Sequence, residues 1–131
     1  RSHLALNSVL ASPGSQFSQV VLGHETQRQV ACKHLLSKTL ALDLAPFGVR
    51  CNTVSPGDID TPMLEFQAER YGDGDPQGYY RSLLAKYPQG DKARFVQPGE
   101  VAELVYFLCQ PGASAITGAD LAIDLGLSAG K

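Results

Sequence analysis

The sequence predicts an α/β protein in which parallel β-strands alternate with helices. Two segments have the β-branched or alternating apolar residues of strands, VRCNTVSP from Val49 and ADLAIDLG from Ala119. A long helical pattern precedes the first of these strands, and a shorter one precedes the second. Because helices separate the predicted strands, we expect parallel pairing through right-handed crossovers, as one layered sheet in a single domain.

A strand and the longest helix are predicted in the first part of the chain. The apolar run HLALNSVL, from His3, is rich enough for a buried strand, and SPGSQ after it has turn residues. A helix of about 20 residues is predicted from about Glu25. Its apolar residues recur near helical spacing at Val30, Leu35, Leu36, Leu40 and Leu44. Pro46 ends this helix near Ala45, because proline disfavours helical geometry in the residue before it.

Residues 62–97 are predicted to form a mobile lobe. Two short helices are expected there, at residues 63–70 and 78–86, and an acidic, turn-forming segment lies between them. The following helix has a clear start, since Pro98 suits a first-turn position and Glu100 complements the positive end of a helix. The segment ADLAIDLG then provides the last strand.

Composition argues against several classes of partner. The 131 residues carry a net charge of -2 with 18% charged residues, so no broad basic surface is available for a nucleic acid. No apolar run approaches the roughly 18 residues that span a bilayer, and no secretion signal is expected. Cys32, Cys51 and Cys109 have no metal-ligand spacing and lie within apolar patterns, which predicts buried free thiols in a reducing, cytoplasmic compartment.

Ligands of parallel sheets gather beyond the carboxyl ends of the strands, which selects two places in this sequence. One follows HLALNSVL, and the other is SPGDIDTPM, from Ser55. In the second place, Gly57 after Pro56 lets main-chain groups approach a flat ligand, and Thr61 adds a hydroxyl that hydrogen-bonds amides. A Pro-Gly pair is also common in ordinary loops, so the segment alone leaves a simple turn as the alternative.

Two long blocks of the sequence carry a more specific pattern. They are LALDLAPFGVRCNTVSPGDIDTPM and QPGEVAELVYFLCQPGASAITGADLAIDLG. In order and spacing they resemble the carboxyl-terminal half of the short-chain dehydrogenase/reductase family, and the resemblance covers nearly the whole chain. It implies a Rossmann-like, doubly wound parallel sheet that binds NAD or NADP and transfers a hydride to or from a carbonyl or alcohol. By matching position, the loop that begins at Pro56 and Gly57 would lie along the nicotinamide, with Ile59 and Thr61 at its carboxamide.

By the same resemblance, the long helix begins with the family's Y-x-x-x-K motif, where this chain has Thr26 and Val30. The family tyrosine transfers a proton, which requires a pKa lowered from about 10 toward neutrality by a neighbouring cation. A threonine hydroxyl is too weak an acid for this step, and valine supplies no charge. Tyr71 is the first tyrosine of the chain and follows the nicotinamide loop, so no other tyrosine is expected to serve. This chain alone is therefore predicted to be inactive.

Four other residues are weaker candidates. Ser8 matches the family's catalytic serine, although it lies further from Thr26 than the family spacing, and Ser12 is the fallback. Either serine fits equally well as an ordinary strand-end or turn hydroxyl. His24 has an imidazole able to exchange protons near neutral pH, but a surface histidine at a helix start is the favoured interpretation. Lys33 lies about one turn beyond the lysine position and is interpreted as a solvated charge.

Two departures from the family pattern set further expectations. Nothing resembles the family's glycine-rich T-G-x-x-x-G-x-G turn or its N-N-A-G segment. A longer polypeptide or a complementary amino-terminal half is therefore expected to complete the fold. By the resemblance, the long helix pairs with its symmetry mate in family dimers, so a homo- or hetero-oligomer is also expected. Leu125 stands in IDLG where family members have a glycine, and its bulk is expected to alter assembly. By analogy, the lobe at residues 62–97 would cover the substrate. Two functions stay open: an impaired NAD(P)-dependent oxidoreductase, or a non-catalytic nucleotide-binding or partner subunit.

Overall fold

Residues 18–22 and 27–129 are described in the computed structural model of the protein, with side chains from Leu35 onward. In this part of the chain, the strands are β1 (Ser18–Leu22), β2 (Arg50–Pro56) and β3 (Asp120–Ile123). The helices are α1 (Gln27–Leu44), α2 (Pro62–Tyr71), α3 (Pro76–Leu84) and α4 (Pro98–Cys109). Across the same residues, no helix has the length and apolar character needed to cross a membrane.

The strands form one sheet in the order β1-β2-β3. β1 pairs with β2 in parallel, with Leu22 opposite Val54. The Thr53 N–H donates to the Ala119 C=O at 2.9 Å, and the bonds between β2 and β3 advance in the same direction along both strands. The predicted α/β class with a parallel sheet is confirmed.

The helix α1 ends as its sequence predicts. Its last residue is Leu44, and the 3-10 turn Ala45–Phe47 contains the proline that stops it. Gly48 then takes a left-handed φ of 70°, and its N–H donates to the Ala45 C=O at 3.0 Å. The strand β1, with the sequence SQVVL, was not predicted. The run HLALNSVL, which was predicted to be a strand, lies outside the described residues.

The chain divides into two compact units, of which the first is Arg1–Ser55 with Ala102–Leu121. Strand β2 is the buried centre of this unit. Cys51 and Val54 of β2 are fully buried, as is Leu108 of α4. Burying such apolar side chains on both a strand and a helix is what stabilises a layered α/β arrangement.

The cysteines only partly match their predicted burial. Cys51 is a buried free thiol, as predicted, and burial raises its pKa. Cys109, at the end of α4, is free but only half-buried. The side chain of Cys32 lies outside the described part. A thiol with a raised pKa holds little thiolate near neutral pH, so Cys51 is a packing residue.

The second unit is Pro56–Val101 with Ala122–Lys131, and the helices α2 and α3 pack together within it. These helices confirm the pair that was predicted at residues 63–70 and 78–86. Each begins with a proline, which suits a first helical turn, and Asp75 caps α3 by accepting a hydrogen bond from the Gly78 N–H at 2.8 Å. The mobility expected of this lobe stays a prediction.

The start of α4 confirms the role predicted for Glu100. Its carboxylate accepts a hydrogen bond from the Gln97 N–H at 2.8 Å, which satisfies one of the free donors at the helix end. It also accepts two hydrogen bonds from the Arg94 guanidinium, at 2.7 and 2.8 Å. Hydrogen bonding to Arg94 and then to Gln97 lowers the pKa of Glu100 to about 2. The carboxylate is therefore ionised and fixes the first turn of α4.

Candidate functional site

The loop that follows β2, residues 57–61, contains the predicted nicotinamide-contacting residues. β2 ends at Pro56, and the Gly57 N–H still donates to the Ile123 C=O at 3.2 Å. Strand pairing therefore continues to the first residue of the loop. This places the loop at the carboxyl end of a parallel strand, which is the edge where such sheets bind ligands.

Ile59 forms an isolated parallel bridge with Val96. The Asp60 N–H donates to the Val96 C=O at 2.9 Å, and the Val96 N–H donates to the Asp58 C=O at 2.9 Å. Because its two neighbours make these bonds, Ile59 directs its own N–H and C=O away from Val96. The Thr61 hydroxyl donates to the Ile59 C=O at 3.3 Å. The loop thus gathers an N–H, a carbonyl and a hydroxyl within three residues.

These groups fit the carboxamide of a nicotinamide. A carboxamide has a carbonyl that accepts hydrogen bonds and an NH2 that donates them. Half-buried Ile59 offers both a main-chain donor and a main-chain acceptor. Thr61 is the N-cap residue of α2, but its side chain accepts no capping bond, so the hydroxyl oxygen keeps its lone pairs to accept a hydrogen bond from a ligand. Among the described residues, no group of His, Cys, Asp and Glu is arranged to hold a metal ion.

Gly57 has a structural role that was not predicted. A Cβ atom at this position would lie 3.0 Å from the Tyr87 hydroxyl oxygen and 3.1 Å from the Asp124 Cα. The space that a side chain would need is therefore occupied by the protein itself. The absence of a side chain at Gly57 lets the loop pack closely on these two residues, whether or not it also lets a ligand approach.

Tyr87 brings a phenol to this loop. Its hydroxyl accepts a hydrogen bond from the Asp58 N–H at 2.9 Å and donates one to the Asp58 carboxylate at 3.2 Å. The residue is 3% exposed. Burial, with the negative charges of Asp58 and Asp124, raises the pKa of Tyr87 to about 12. A phenol does reach the predicted site, but its pKa moves away from neutrality, which is the wrong direction for a proton donor.

Asp124 and Leu125 hold the segment that follows β3. The Asp124 carboxylate accepts hydrogen bonds from the N–H groups of Gly126 and Ser128, both at 2.9 Å. Although burial raises it, these bonds and one from the Ser128 hydroxyl hold the pKa of Asp124 below its usual value. Leu125 between them has a left-handed φ of 54°. This conformation favours glycine, which explains physically why the family pattern has glycine there.

The predicted residues at the start of the long helix are only partly described. Val30 lies in the first turn of α1, where the resemblance places the family lysine, and only its backbone is described. Thr26 lies outside the described residues, as do Ser8, Ser12 and His24. The predicted roles of these side chains stay predictions.

The pairing of Tyr87 with Asp58 was missed by the sequence analysis. The two residues are 29 positions apart, so no helical or strand periodicity connects them. Tyr87 directly precedes Pro88 in a turn, where an aromatic residue gives no signal of burial. A buried phenol requires a hydrogen-bond partner, but the sequence does not say which residue supplies it.

A parallel sheet with a ligand-accessible loop at the carboxyl end of β2 is typical of α/β proteins that bind nucleotides. A family model described as Enoyl-(Acyl carrier protein) reductase matches residues 16–128. A tropinone reductase homologue of Arabidopsis thaliana is 40% identical over 93 residues, which cover 71% of this chain and 27% of that protein. The chain belongs to the short-chain dehydrogenase/reductase family and matches the carboxyl-terminal part of its fold.

Two solved structures agree with this assignment. The aldohexose dehydrogenase of Thermoplasma acidophilum has a TM-score of 0.75 at 32% identity, over 90% of this chain and 50% of that one. An actinorhodin polyketide ketoreductase with NADPH has a TM-score of 0.74 at 30% identity, over 86% of this chain and 48% of that one. The Rossmann-like fold implied by the resemblance is confirmed. The chain spans about a third of the length of the curated relatives it matches.

Proposed function

We propose that this chain contributes the nicotinamide-binding loop of an NAD(P)-dependent oxidoreductase acting on a small carbonyl or alcohol, and that its proton relay is impaired. The observation that carries the proposal is the loop at residues 57–61. There the Ile59 main chain faces away from Val96, and the Thr61 hydroxyl lies beside it. The family and the ketoreductase with NADPH support the binding of a dinucleotide, and the proposal includes both NAD and NADP.

Each group of the loop has a distinct task in this proposal. A bound nicotinamide would supply or accept the hydride. Ile59 would donate its N–H to the carboxamide oxygen, and the carbonyl of Ile59 or the hydroxyl of Thr61 would accept from the carboxamide NH2. Two or more hydrogen bonds to one planar group fix the orientation of the ring, which decides the face that reacts.

The impairment follows from Thr26 and Val30, which stand at the tyrosine and lysine positions. Hydride transfer to a carbonyl leaves an oxyanion that needs a proton, and a threonine hydroxyl is too weak an acid to give it. Valine has no ammonium group to lower the pKa of a neighbour. Tyr87 does not replace the missing acid, because its pKa of about 12 keeps the proton on the phenol.

A second function is favoured by the same substitutions and by the surface of α1. Both members of the relay are absent together, as expected for a non-catalytic subunit that binds a nucleotide or a partner chain. Leu35 and Leu42 are 67% and 76% exposed, and they lie two turns apart on one side of α1. Such a row of exposed leucines supports pairing with a second copy or with a related active subunit.

Titration with dinucleotides, followed by an activity assay, tests cofactor binding and catalysis separately. NADH and NADPH are added in turn to the 131-residue chain while nicotinamide fluorescence is followed, and turnover is then measured on a panel of ketones and aldehydes. Enhanced fluorescence without turnover at ordinary family rates is the expected result. Failure to bind either dinucleotide would overturn the proposed function, and rapid carbonyl reduction would overturn the impairment.

A matched pair of threonine variants links binding to the loop. Thr61→Ala removes the hydroxyl beside Ile59 and is expected to weaken binding about fivefold, since one neutral hydrogen bond contributes about 1 kcal/mol. Thr39→Ala is the control, because the exposed Thr39 hydroxyl only donates to the Leu35 C=O of its own helix. Equal affinity in the two variants would place the dinucleotide elsewhere.

A further inference from the structure

The loop at residues 57–61 is held by tethers that lie outside it. Val96 bonds to the main chain on both sides of Ile59. The Gln97 side-chain amide donates to the Asp60 carboxylate at 3.2 Å. Tyr87 packs with Asp124 on the side where Gly57 has no side chain, and the Tyr87 hydroxyl makes two hydrogen bonds to Asp58.

The Tyr87 hydroxyl does more than fill space. A phenylalanine would occupy the same volume, but the hydroxyl is nearly excluded from water and must find partners inside the protein. It finds one donor and one acceptor, and both belong to Asp58. The main-chain bond fixes the peptide before Asp58, and the side-chain bond fixes the rotation of the Asp58 side chain. Asp58 is the residue next to Ile59, so the direction of the Ile59 N–H depends on it.

We propose that Tyr87 is a positioning residue of the nicotinamide loop, whose buried hydroxyl holds Asp58 so that the Ile59 N–H and the Thr61 hydroxyl meet the carboxamide. This inference rests on the proposed function of the same loop. Tyr87 does not touch the nicotinamide in this role and acts through Asp58. The raised pKa of Tyr87 agrees with it, because a phenol that keeps its proton remains a hydrogen-bond donor near neutral pH.

Nuclear magnetic resonance of the isotope-labelled 131-residue chain tests this role. The probe is reduced nicotinamide mononucleotide, which carries the carboxamide and needs no adenosine site. In the unsubstituted chain, the probe is expected to shift the amide resonances of Ile59 and Thr61. Tyr87→Phe keeps the ring and removes both bonds, so affinity is expected to fall about fivefold to tenfold. Hydrogen exchange at the Asp58 amide is expected to accelerate in the same variant.

The comparison is made at a temperature where every variant is fully folded. A purely structural role would lower the thermal midpoint but leave the affinity of the folded chain unchanged. Tyr71→Phe, on a tyrosine that is 62% exposed, is the control and is expected to change neither affinity nor exchange. If Tyr87→Phe fails to fold, Asp58→Ala provides the second test, since it removes only the carboxylate partner and should give a smaller loss.

The outcomes separate the two proposals. A probe that shifts no resonance in the unsubstituted chain would overturn the proposed function, and the role of Tyr87 with it. A normal response in the unsubstituted chain with unchanged affinity in Tyr87→Phe would overturn only the role of Tyr87. Weaker probe binding with faster Asp58 exchange, and no change in Tyr71→Phe, would support both.

Discussion

The loop after β2 and the start of α1 differ in how their functions depend on side chains. The loop offers the Ile59 main chain, which every residue except proline provides, and one hydroxyl from Thr61. By the resemblance, Thr26 and Val30 stand at the sequence positions where the family chemistry would have an acid and a cation. Main-chain recognition survives most substitutions, whereas a tuned pKa is lost with one side chain. Cofactor binding and proton transfer can therefore be lost separately in one fold.

The largest expected effect comes from substituting Thr26 and Val30, the two positions of the proposed proton relay. Thr26→Tyr together with Val30→Lys returns the acid and the cation that lowers its pKa. Positioned general acid catalysis contributes about 100-fold or more, so carbonyl reduction is expected to rise by at least that factor over the unsubstituted chain. The control is Thr26→Phe with Val30→Met, which adds similar bulk without acid or charge. Equal rates in the two double variants would contradict the proposal that these two positions limit carbonyl reduction.

The loop is tested next, through its close packing. Gly57→Ala would place a Cβ atom 3.0 Å from the Tyr87 hydroxyl oxygen and 3.1 Å from the Asp124 Cα, so something must move. The free energy of unfolding is expected to fall by about 2 kcal/mol, as in other overpacked interiors, and dinucleotide affinity should fall too. Gly99→Ala is the control, because a Cβ there meets nothing within 4 Å and alanine favours the helix α4. Urea unfolding measures the stability of both variants. An unchanged free energy of unfolding in Gly57→Ala would show that the loop accommodates a Cβ atom without cost.

The sequence predicted the features that depend on residues close together in the chain better than those that join distant residues. The end of α1, the cap of α4 and the strand β2 depend on residues a few positions apart, and all were predicted from local patterns. The strand β1, SQVVL, begins with two polar residues and has no alternation of apolar and polar residues, and it was missed. The Tyr87 bond to Asp58 and the packing against Gly57 join distant residues. Local chemistry does not encode such contacts, so the support of the loop required the structure.

Leu125 is another position where the chain departs from the family pattern. There the backbone conformation is expected to lower the stability of the protein. Its φ of 54° is unfavourable for any residue with a Cβ atom. Leu125→Gly and Leu125→Ala both remove the leucine side chain, but only glycine relieves the strain. The glycine variant is expected to be about 1 kcal/mol more stable than the alanine variant, the reverse of the usual order. Thermal unfolding of the pair measures this difference, and an alanine variant at least as stable would show that no strain is stored there.

The smallest expected effect is a pH dependence of stability that comes from Glu100. Its carboxylate bonds to Gln97, the residue that follows Val96. Hydrogen bonding to Arg94 lowers the pKa of Glu100 from 4.5 to about 2. A lowered pKa in the folded protein means that the stabilisation is fully present above pH 4.5 and is lost as the pH falls from there through about 2. In Glu100→Gln, the urea midpoint is expected to change less with pH over that window. Glu103→Gln removes the same charge further along α4 and is expected to keep the pH dependence of the unsubstituted chain. If the urea midpoint of Glu100→Gln varied with pH as it does in the unsubstituted chain, the Arg94 contact would contribute nothing measurable, and the loop would depend on Tyr87, Val96 and the Gln97 side chain among the tethers described.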